Sequence, residues 1–573
     1  MLTNALLAGA FGAAYLTIIV LQLNPAVPLL SATPWWWFVT LGLLYGVHLA
    51  VLFYVVVVGR DFLVMDVLSP GWVSVRLLAW FCAVLSAAAA ALMWLNVEGF
   101  RQALGEAAAW RMTAGAIATS ISTVVLLSIA AAHYSFGRRG SRVGAWLFFI
   151  AVVASMTLPI VARGPAISQV AGGSTAVAGA SPVETAGPRV IVLLLDGASL
   201  EQIWPRAAEG RLSNFSRLLD RGAVMDLATV RPTQPDPVWA AVATGRYPAS
   251  NGVRSAARYY ALGDARGIDL LPDHCLSHAL VRLGFVRDEP TTSSSWGARP
   301  VWDILSSEGL APGVVRWPLT HPAPPTRGFV ISDRLHQATM SLTEFDRAAQ
   351  PFDVLKRVHA LSVAGVPATE AGELPADFSP GGPETAAMER DLFYGTVARA
   401  LRFEKDPRFF ALRYTGLDTV GHYYLRYVGP AAARDLPDAE RRRRAQVVES
   451  YYAFIDNEIG IVLDSMAQSD LLLVVSSFGM EPLNPVKRVV AGVMGDPAFS
   501  GTHERAPDGF LLAFGEAVAP GRPQRGSIVD VTPTILYFFG LPVARDMDGF
   551  ARSDLFTREF TAERPVTFIS SYR

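Results

Sequence analysis

The apolar residues of the first 161 positions fall into five long runs, at roughly 2–22, 37–58, 77–95, 113–133 and 143–161. Each run is close to the ~20 residues that a helix needs to cross the hydrocarbon core of a bilayer. None contains Asp, Glu, Lys or Arg. Ionisable groups inside spans usually mark ion or proton pathways, so this pattern predicts an anchor rather than a transporter. Trp35, Trp36, Trp37, Trp94 and Trp146 lie near run ends, as interfacial aromatics do. The first run lacks a basic leader and an Ala-x-Ala exit, so it reads as a retained span and not a cleaved signal. Arg138, Arg139 and Arg142 make the loop between runs four and five the most basic one, whereas Asn24 to Pro34 carries no charge. Positive residues stay inside, which puts the N-terminus and the 134–142 loop in the cytoplasm. An odd number of spans then carries everything after Arg163 to the outer side of the cytoplasmic membrane, periplasmic or extracellular.

Beyond the runs the pattern changes. Residues 164–188 are mostly Gly, Ala, Ser, Thr and Val, the composition of a flexible linker. From Arg189 onward, short continuous apolar runs recur at 190–195, 328–332, 409–413, 471–475 and 509–514. Helical patterns lie between them, at Leu212 to Arg221, Val301 to Glu308 and Glu449 to Met466. Alternation of this kind predicts an α/β fold, a mostly parallel sheet buried under flanking helices. The expected division is an all-α bundle of five transmembrane helices at 1–163, a linker at 164–188 and an outer domain at 189–573. In such sheets ligands gather at the carboxyl ends of the strands. Asp196 and Ser477 stand at such ends, and Asp418 follows one by a few residues.

Composition narrows the functional classes. The 573 residues carry a net charge of −1, with no basic excess to mark a nucleic-acid binder. The chain has two cysteines, Cys82 in an apolar run and Cys275 in the polar half, so no disulfide between them is expected.

The chemistry-bearing residues are Asp196, Asp418, His422 and His503, the carboxylate and imidazole types that hold Zn²⁺ or Mn²⁺. A lone Asp-x-x-x-His is weak evidence; the conjunction of motifs is stronger. Asp196-Gly197 ends the first strand, Thr244-Gly-Arg-Tyr-Pro-Ala-Ser-Asn-Gly252 makes a turn, and Arg316 to Pro325 precedes Gly328-Phe-Val-Ile-Ser-Asp333. Gly416-Leu-Asp-Thr-Val-Gly-His422, then His503 with Ala506-Pro-Asp-Gly509, then Asp530-Val-Thr-Pro-Thr-Ile-Leu536, Gly540-Leu-Pro and Asp546-Met-Asp-Gly549 complete the series. In order and context this series resembles the alkaline phosphatase superfamily, in particular its type I phosphodiesterase/nucleotide pyrophosphatase family, over about 189–550. The resemblance implies an alkaline-phosphatase-like fold, a phosphoester substrate and two cation sites. Asp418, His422 and His503 would form one. The other would use Asp196, the nucleophile and an Asp-His pair before a Gly-Met.

Here the strand reads Ser477-Phe478-Gly479-Met480, so a serine and a phenylalanine stand where that pair is expected. One retained Zn²⁺ (or Mn²⁺) site follows. Asp196 alternatively caps a helix after its strand. Counted back from Thr244, the usual nucleophile position falls on Pro235. Thr233, two residues upstream, is the candidate hydroxyl, with a loop or capping role as its bland alternative. Asp236 could act as a replacement ligand or a carboxylate nucleophile.

Two functional readings stay open. One is a membrane-anchored, metal-dependent phosphodiester hydrolase or phosphoryl-headgroup transferase working outside the cytoplasm. Its architecture resembles that of phosphoethanolamine and lipoteichoic-acid headgroup transferases, which would make a lipid headgroup the substrate. The other is a pseudoenzyme that binds a headgroup or partner in the retained cleft. Lesser candidates are Asp273, His274, Cys275 and His278 as ligand types at close spacing, His321 between loop prolines, and Glu481 and Glu504 as substitute ligands. Asn214-Phe-Ser216 fits a glycosylation sequon, and Arg441 to Arg444 reads as a solvated helix face or, less simply, a lipid-headgroup contact.

Overall fold

The computed structural model describes residues 1–63, 71–135, 142–167, 187–272, 277–336, 345–364, 374–428, 436–493, 498–505 and 507–572. Arg138 and Arg139, residues 168–186 of the expected linker, and Asp273, His274 and Cys275 lie outside them, as does the side chain of His278. The chain forms two compact units: Met1–Gln169 with Ala257–Pro290, and Val170–Ala256 with Thr291–Arg573.

The first unit is helical: α1 (Leu2–Leu23), α2 (Ala32–Leu41), α3 (Val47–Leu63), α4 (Gly71–Leu104), α5 (Glu106–Ser135) and α6 (Arg142–Arg163). One π turn at Gly42–Gly46 joins α2 to α3, so the two form a single span. Among the described residues, five helices are thus long and apolar enough to cross a membrane. Large apolar side chains such as Leu6, Val55, Val124 and Ile150 face outward, the inverse of a water-soluble bundle. Inside, small hydroxyls link the helices: Tyr15 Oη donates to Ser86 Oγ at 3.0 Å, and Ser86 meets Thr123 at 2.8 Å. At the end of α6 the buried Arg163 donates to the carbonyls of Leu21, Asn24 and Val27 at 2.8, 2.9 and 2.5 Å. Leu21 lies in the last turn of α1 and Asn24 is its C-cap, so the guanidinium adds a cation and donors to that helix's carboxyl end from another helix.

Residues 257–290 are an excursion that the apolar pattern does not disclose. Their antiparallel strands β3 (Ala257–Tyr260) and β4 (Arg287–Pro290) belong to the helical unit. Ala257, Tyr259, Ala261, Ile268 and Leu271 share a core with Val20, Leu21, Val27, Trp37 and Leu41. Asn24 Nδ2 donates to Leu270 O at 2.8 Å while its Oδ1 accepts from the amides of Asp269 and Leu270, both at 3.0 Å. Thr33 Oγ1 donates to Asp264 Oδ1 at 3.0 Å.

The second unit holds a nine-stranded sheet. Its strands are β1 (Val190–Leu195), β2 (Ala223–Ala228), β5 (Pro312–Val315), β6 (Phe329–Ile331), β7 (Ala349–Gln350), β8 (Phe409–Tyr414), β9 (Leu471–Phe478), β12 (Asp508–Phe514) and β13 (Gly526–Ser527). The order is β13-β2-β12-β9-β1-β8-β5-β6-β7. Central β1 is parallel to β8 and β9, and its six residues are all buried. Val190, Val192 and Leu194 enter one core while Ile191, Leu193 and Leu195 enter the other, the alternation of a strand covered on both faces. The sheet is mixed, because β12 is antiparallel to both of its neighbours and β7 to β6. That reversal has a positional effect. The start of β12 lies beside the end of β9, Asp508 opposite Phe478, so residues just before Asp508 are delivered to the carboxyl edge of the sheet. His503 is among them. Two short strands, β10 (Glu481–Pro482) and β11 (Gly501–Thr502), pair antiparallel within this connection.

Candidate functional site

The helix Gly416–Tyr424 starts two residues after β8 and carries Asp418 and His422 one turn apart. Its start is held by a buried network. Asp391 accepts from the amides of Thr415 and Gly416, from Tyr451 Oη at 2.8 Å and from the guanidinium of Arg316. Arg316 also donates to Thr415 Oγ1 at 2.8 Å and lies 4.5 Å from the Tyr394 ring centroid. Two glycines permit the close packing. A Cβ on Gly416 would stand 1.5 Å from Tyr451 Oη. Gly197 has φ +72, and a Cβ there would lie 2.8 Å from Asp418 Cα. The β1 turn can therefore approach the helix that carries Asp418.

Asp418, His422 and His503 offer ligand atoms that all lie within 4.8 Å of one another. Nε2 of His422 is 3.5 Å from Asp418 Oδ2, and Nε2 of His503 is 3.8 Å from Oδ1. Each histidine turns its other nitrogen to a carbonyl: His422 Nδ1 to Gly501 O and His503 Nδ1 to Thr233 O, both at 2.8 Å. With Nδ1–H donated, each Nε2 faces the carboxylate: protonated, the imidazole is a cation beside Asp418, and without that proton Nε2 offers the lone pair of a metal-ligating histidine. Among the described residues, Asp418 Oδ1 is buried and accepts no hydrogen bond. An orphaned carboxylate oxygen between two imidazoles fits a divalent cation. Burial works to raise the Asp418 carboxyl, but the hydrogen bond and charge of His422, with His503 and Arg413, hold it below its ordinary range. Aromatic rings wall the triad: Phe499 stacks on His422 at 4.6 Å and Phe478 lies 4.9 Å from His503.

Asp196 does not cap the helix that follows its strand. The helix that follows is capped by Ser199, whose side chain accepts from the Glu201 amide. Asp196 instead meets Arg413 and Trp239. Trp239 Nε1 donates to Oδ1 at 2.6 Å, and Arg413 donates through Nε at 3.1 Å to both oxygens and through a terminal nitrogen to Oδ2 at 2.5 Å. Ser477 is fully buried with its Oγ unpaired among the described residues, and Phe478 is fully buried. The residues around Asp196 therefore do not fit a second cation.

Thr233 lies beside His503 through its carbonyl, and its hydroxyl donates to Val230 O at 3.2 Å. It is a buried loop hydroxyl; the following helix, Pro235–Thr244, has Gln234 as its N-cap. Asp236 sits in the first turn of that helix, 3.4 Å from Thr291 Oγ1. Burial first, and the charge of Asp333 second, push its carboxyl up to about 6, against the pull of Arg413 and Arg334. A carboxyl raised above its unfolded value of 3.8 favours the fold most below that value, and the contribution is lost as pH climbs through about 6. Asp236→Asn is thus expected to raise stability at pH 8 by about 1–3 kcal/mol, the gap closing below pH ~4. A thermal-shift series on the full chain in detergent reads it, and a midpoint at pH 8 no higher than wild type refutes it.

The lesser candidates separate. Glu481 Oε1 accepts from the Arg505 amide and Glu504 pairs with Lys487, so neither joins the triad. His321 is buried beside a cis Pro322. Asn214 is tied to Asp456 through its side-chain amide. Arg444 donates to Glu440 and Tyr427, lining a cavity of about 270 Å³ with Tyr423, Tyr424, Arg443 and Ser379. Sequence reasoning missed Arg413. Its one signal is a charged residue inside the apolar strand Phe409-Phe-Ala-Leu-Arg-Tyr414, on the face shared with Phe409 and Ala411.

The family model for type I phosphodiesterase / nucleotide pyrophosphatase matches residues 190–496, just over half of the chain. No curated relative matches it. With its mixed, mostly parallel sheet under flanking helices, the chain belongs to the type I phosphodiesterase/nucleotide pyrophosphatase family, a hydrolase family of the alkaline phosphatase superfamily.

Proposed function

We propose that this protein is a membrane-anchored, metal-dependent phosphodiesterase whose sheet domain works on the outer side of the membrane, with Asp418, His422 and His503 holding one Zn²⁺ or Mn²⁺. The observation that carries the reading is the pair of imidazoles, each anchored through Nδ1 to a carbonyl, facing an orphaned carboxylate oxygen. When bound, the ion supplies Lewis-acid charge to a phosphoryl oxygen and lowers the pKa of a coordinated hydroxyl or water.

The residues of the chain do the rest. His503 fixes the Thr233 loop through the Thr233 carbonyl. The Thr233 hydroxyl has a long bond to Val230 O, which breaks at small cost when the hydroxyl attacks phosphorus; the ester alcohol leaves with a proton, and water (or, in the transferase form, an acceptor alcohol) then displaces the Thr233 oxygen from phosphorus. Asp236, with its carboxyl near the working pH, is suited to take up the proton that the hydroxyl releases. The cavity beside Tyr423, lined by aromatic faces, Arg443 and Arg444 and also by Asp377 and Glu440, is where this reading seats the remainder of the ester, a lipid headgroup in the transferase form. Support for an odd number of spans, though not for which side is outer, comes from the α1–α2 turn, which packs with 257–290, a segment of the chain that follows all five spans. Both stretches then share a side, as an odd number of spans requires.

A second reading, the pseudoenzyme, is favoured by the engagement of Asp196 and by Phe478 beside His503. One experiment separates the two. The full chain in detergent should hydrolyse bis(p-nitrophenyl) phosphate, lose turnover on chelation and regain it with Zn²⁺ or Mn²⁺. No turnover by fully metal-loaded protein on this or on phospholipid headgroup esters would leave the binding role.

A further inference from the structure

We infer that Arg413 takes the place of a second divalent cation: it closes the position next to Asp196, so that the chain binds one ion only, and it supplies a fixed positive charge there. This deepens the proposed function and rests on its reading of the Asp418, His422 and His503 triad.

The geometry carries the inference. Asp196 and Arg413 are exposed by only 2% and 10% of their side-chain surfaces. Three nitrogens, two from Arg413 and one from Trp239, converge on the two carboxylate oxygens of Asp196 at 2.5–3.1 Å. A metal at Asp196 would have to displace these donors. The neighbours would give it little in return, since Ser477 offers a buried neutral hydroxyl and Phe478 none at all. Register explains why the guanidinium arrives there. Arg413 pairs with Leu194 in β1, two residues before Asp196. A side chain that long, directed along the face of Phe409 and Ala411, reaches the carboxyl end of β1.

The charges balance as well. A divalent ion with two carboxylates is neutral, and so is one guanidinium with one carboxylate. The acid missing at position 477 and the cation of Arg413 thus offset each other in charge. Asp196, Asp236 and Asp333 surround the guanidinium with negative charge and, against its burial, hold its pKa above the ordinary value. It stays a cation at any working pH. Its planar fork fixes direction as well as charge, and a phosphoryl group brought to the adjacent triad would meet a cation on each side.

The test is a metal count on the full chain in detergent, by elemental analysis and native mass spectrometry after exchange against saturating Zn²⁺. Wild type should hold one ion, Asp418→Ala none and Asp196→Asn one. Two ions in the wild type, or loss of the ion in a folded Asp196→Asn, overturns the inference while leaving the triad standing. No ion in the wild type overturns the triad, and the inference with it. If Asp196→Asn does not fold, the wild-type count decides alone. For the charge, Arg413→Lys should keep kcat within ~10-fold of wild type. Arg413→Gln should lower it by ~100-fold or more with the ion count still at one. A folded Arg413→Gln with wild-type kcat removes the charge from the inference.

Discussion

Asp418→Asn should empty the triad of its ion and lower turnover by about a thousandfold. The substitution keeps the size and planarity of the side chain, so packing against Gly197 is preserved. What changes is the charge. Asp418 is the only carboxylate among the three residues whose ligand atoms converge, and both imidazoles face it. Without it, two neutral imidazoles remain, a poor site for a divalent cation. A bound ion contributes several kcal/mol of transition-state stabilisation, and at 1.36 kcal/mol per tenfold, about 4 kcal/mol is three decades of rate. Metal content and kcat measured on one preparation check it. Full turnover with the ion gone would falsify the triad as the reacting centre; full turnover with the ion retained would remove Asp418 from the ligand set.

Asp391→Ala is expected to be the most destabilising single change away from the triad. Asp391 is fully buried, and Arg316, at 3% exposure, depends on it for its charge partner. Truncation strands that guanidinium in the core and leaves Tyr451 Oη and the amides of Thr415 and Gly416 without their acceptor. Breaking a buried pair in this way costs about 3–5 kcal/mol, a large share of the ~5–15 kcal/mol that keeps a domain folded. The damage should also reach the chemistry, because the two amides open the helix that positions Asp418 and His422. The full chain in detergent should unfold many degrees lower, and its metal affinity should fall even below that temperature. An unchanged unfolding midpoint would show that the network does not hold the helix.

Several strands were legible because they are continuous apolar runs, and burial on both faces leaves no other pattern. β1 at 190–195 and β8 at 409–414 are the clear cases. Strand direction was not legible. Nothing in Leu511-Leu512 says that β12 runs against its neighbours, yet that reversal brings the segment before Asp508 to the end of β9. The helical spacing of Asp418 and His422 is visible in the sequence, whereas the arrival of His503 depends on a connection of nearly thirty residues. Arg413 was hidden for a different reason. A lone charge in an apolar strand reads as an edge or an error until its partner is known, and Asp196 is more than two hundred residues away.

The excursion at 257–290 bears on how this protein can be handled. Cutting the chain near residue 188 would leave the sheet domain without its spans. That fragment would keep Ala257, Tyr259, Ala261, Ile268 and Leu271 but lose Val20, Leu21, Val27, Trp37 and Leu41, against which they pack. It would also lose Asn24, the side chain that satisfies the amides of Asp269 and Leu270. Bared apolar side chains beside unsatisfied amides are a recipe for self-association. Solubilising this enzyme therefore means keeping its greasy end, with detergent in place of lipid.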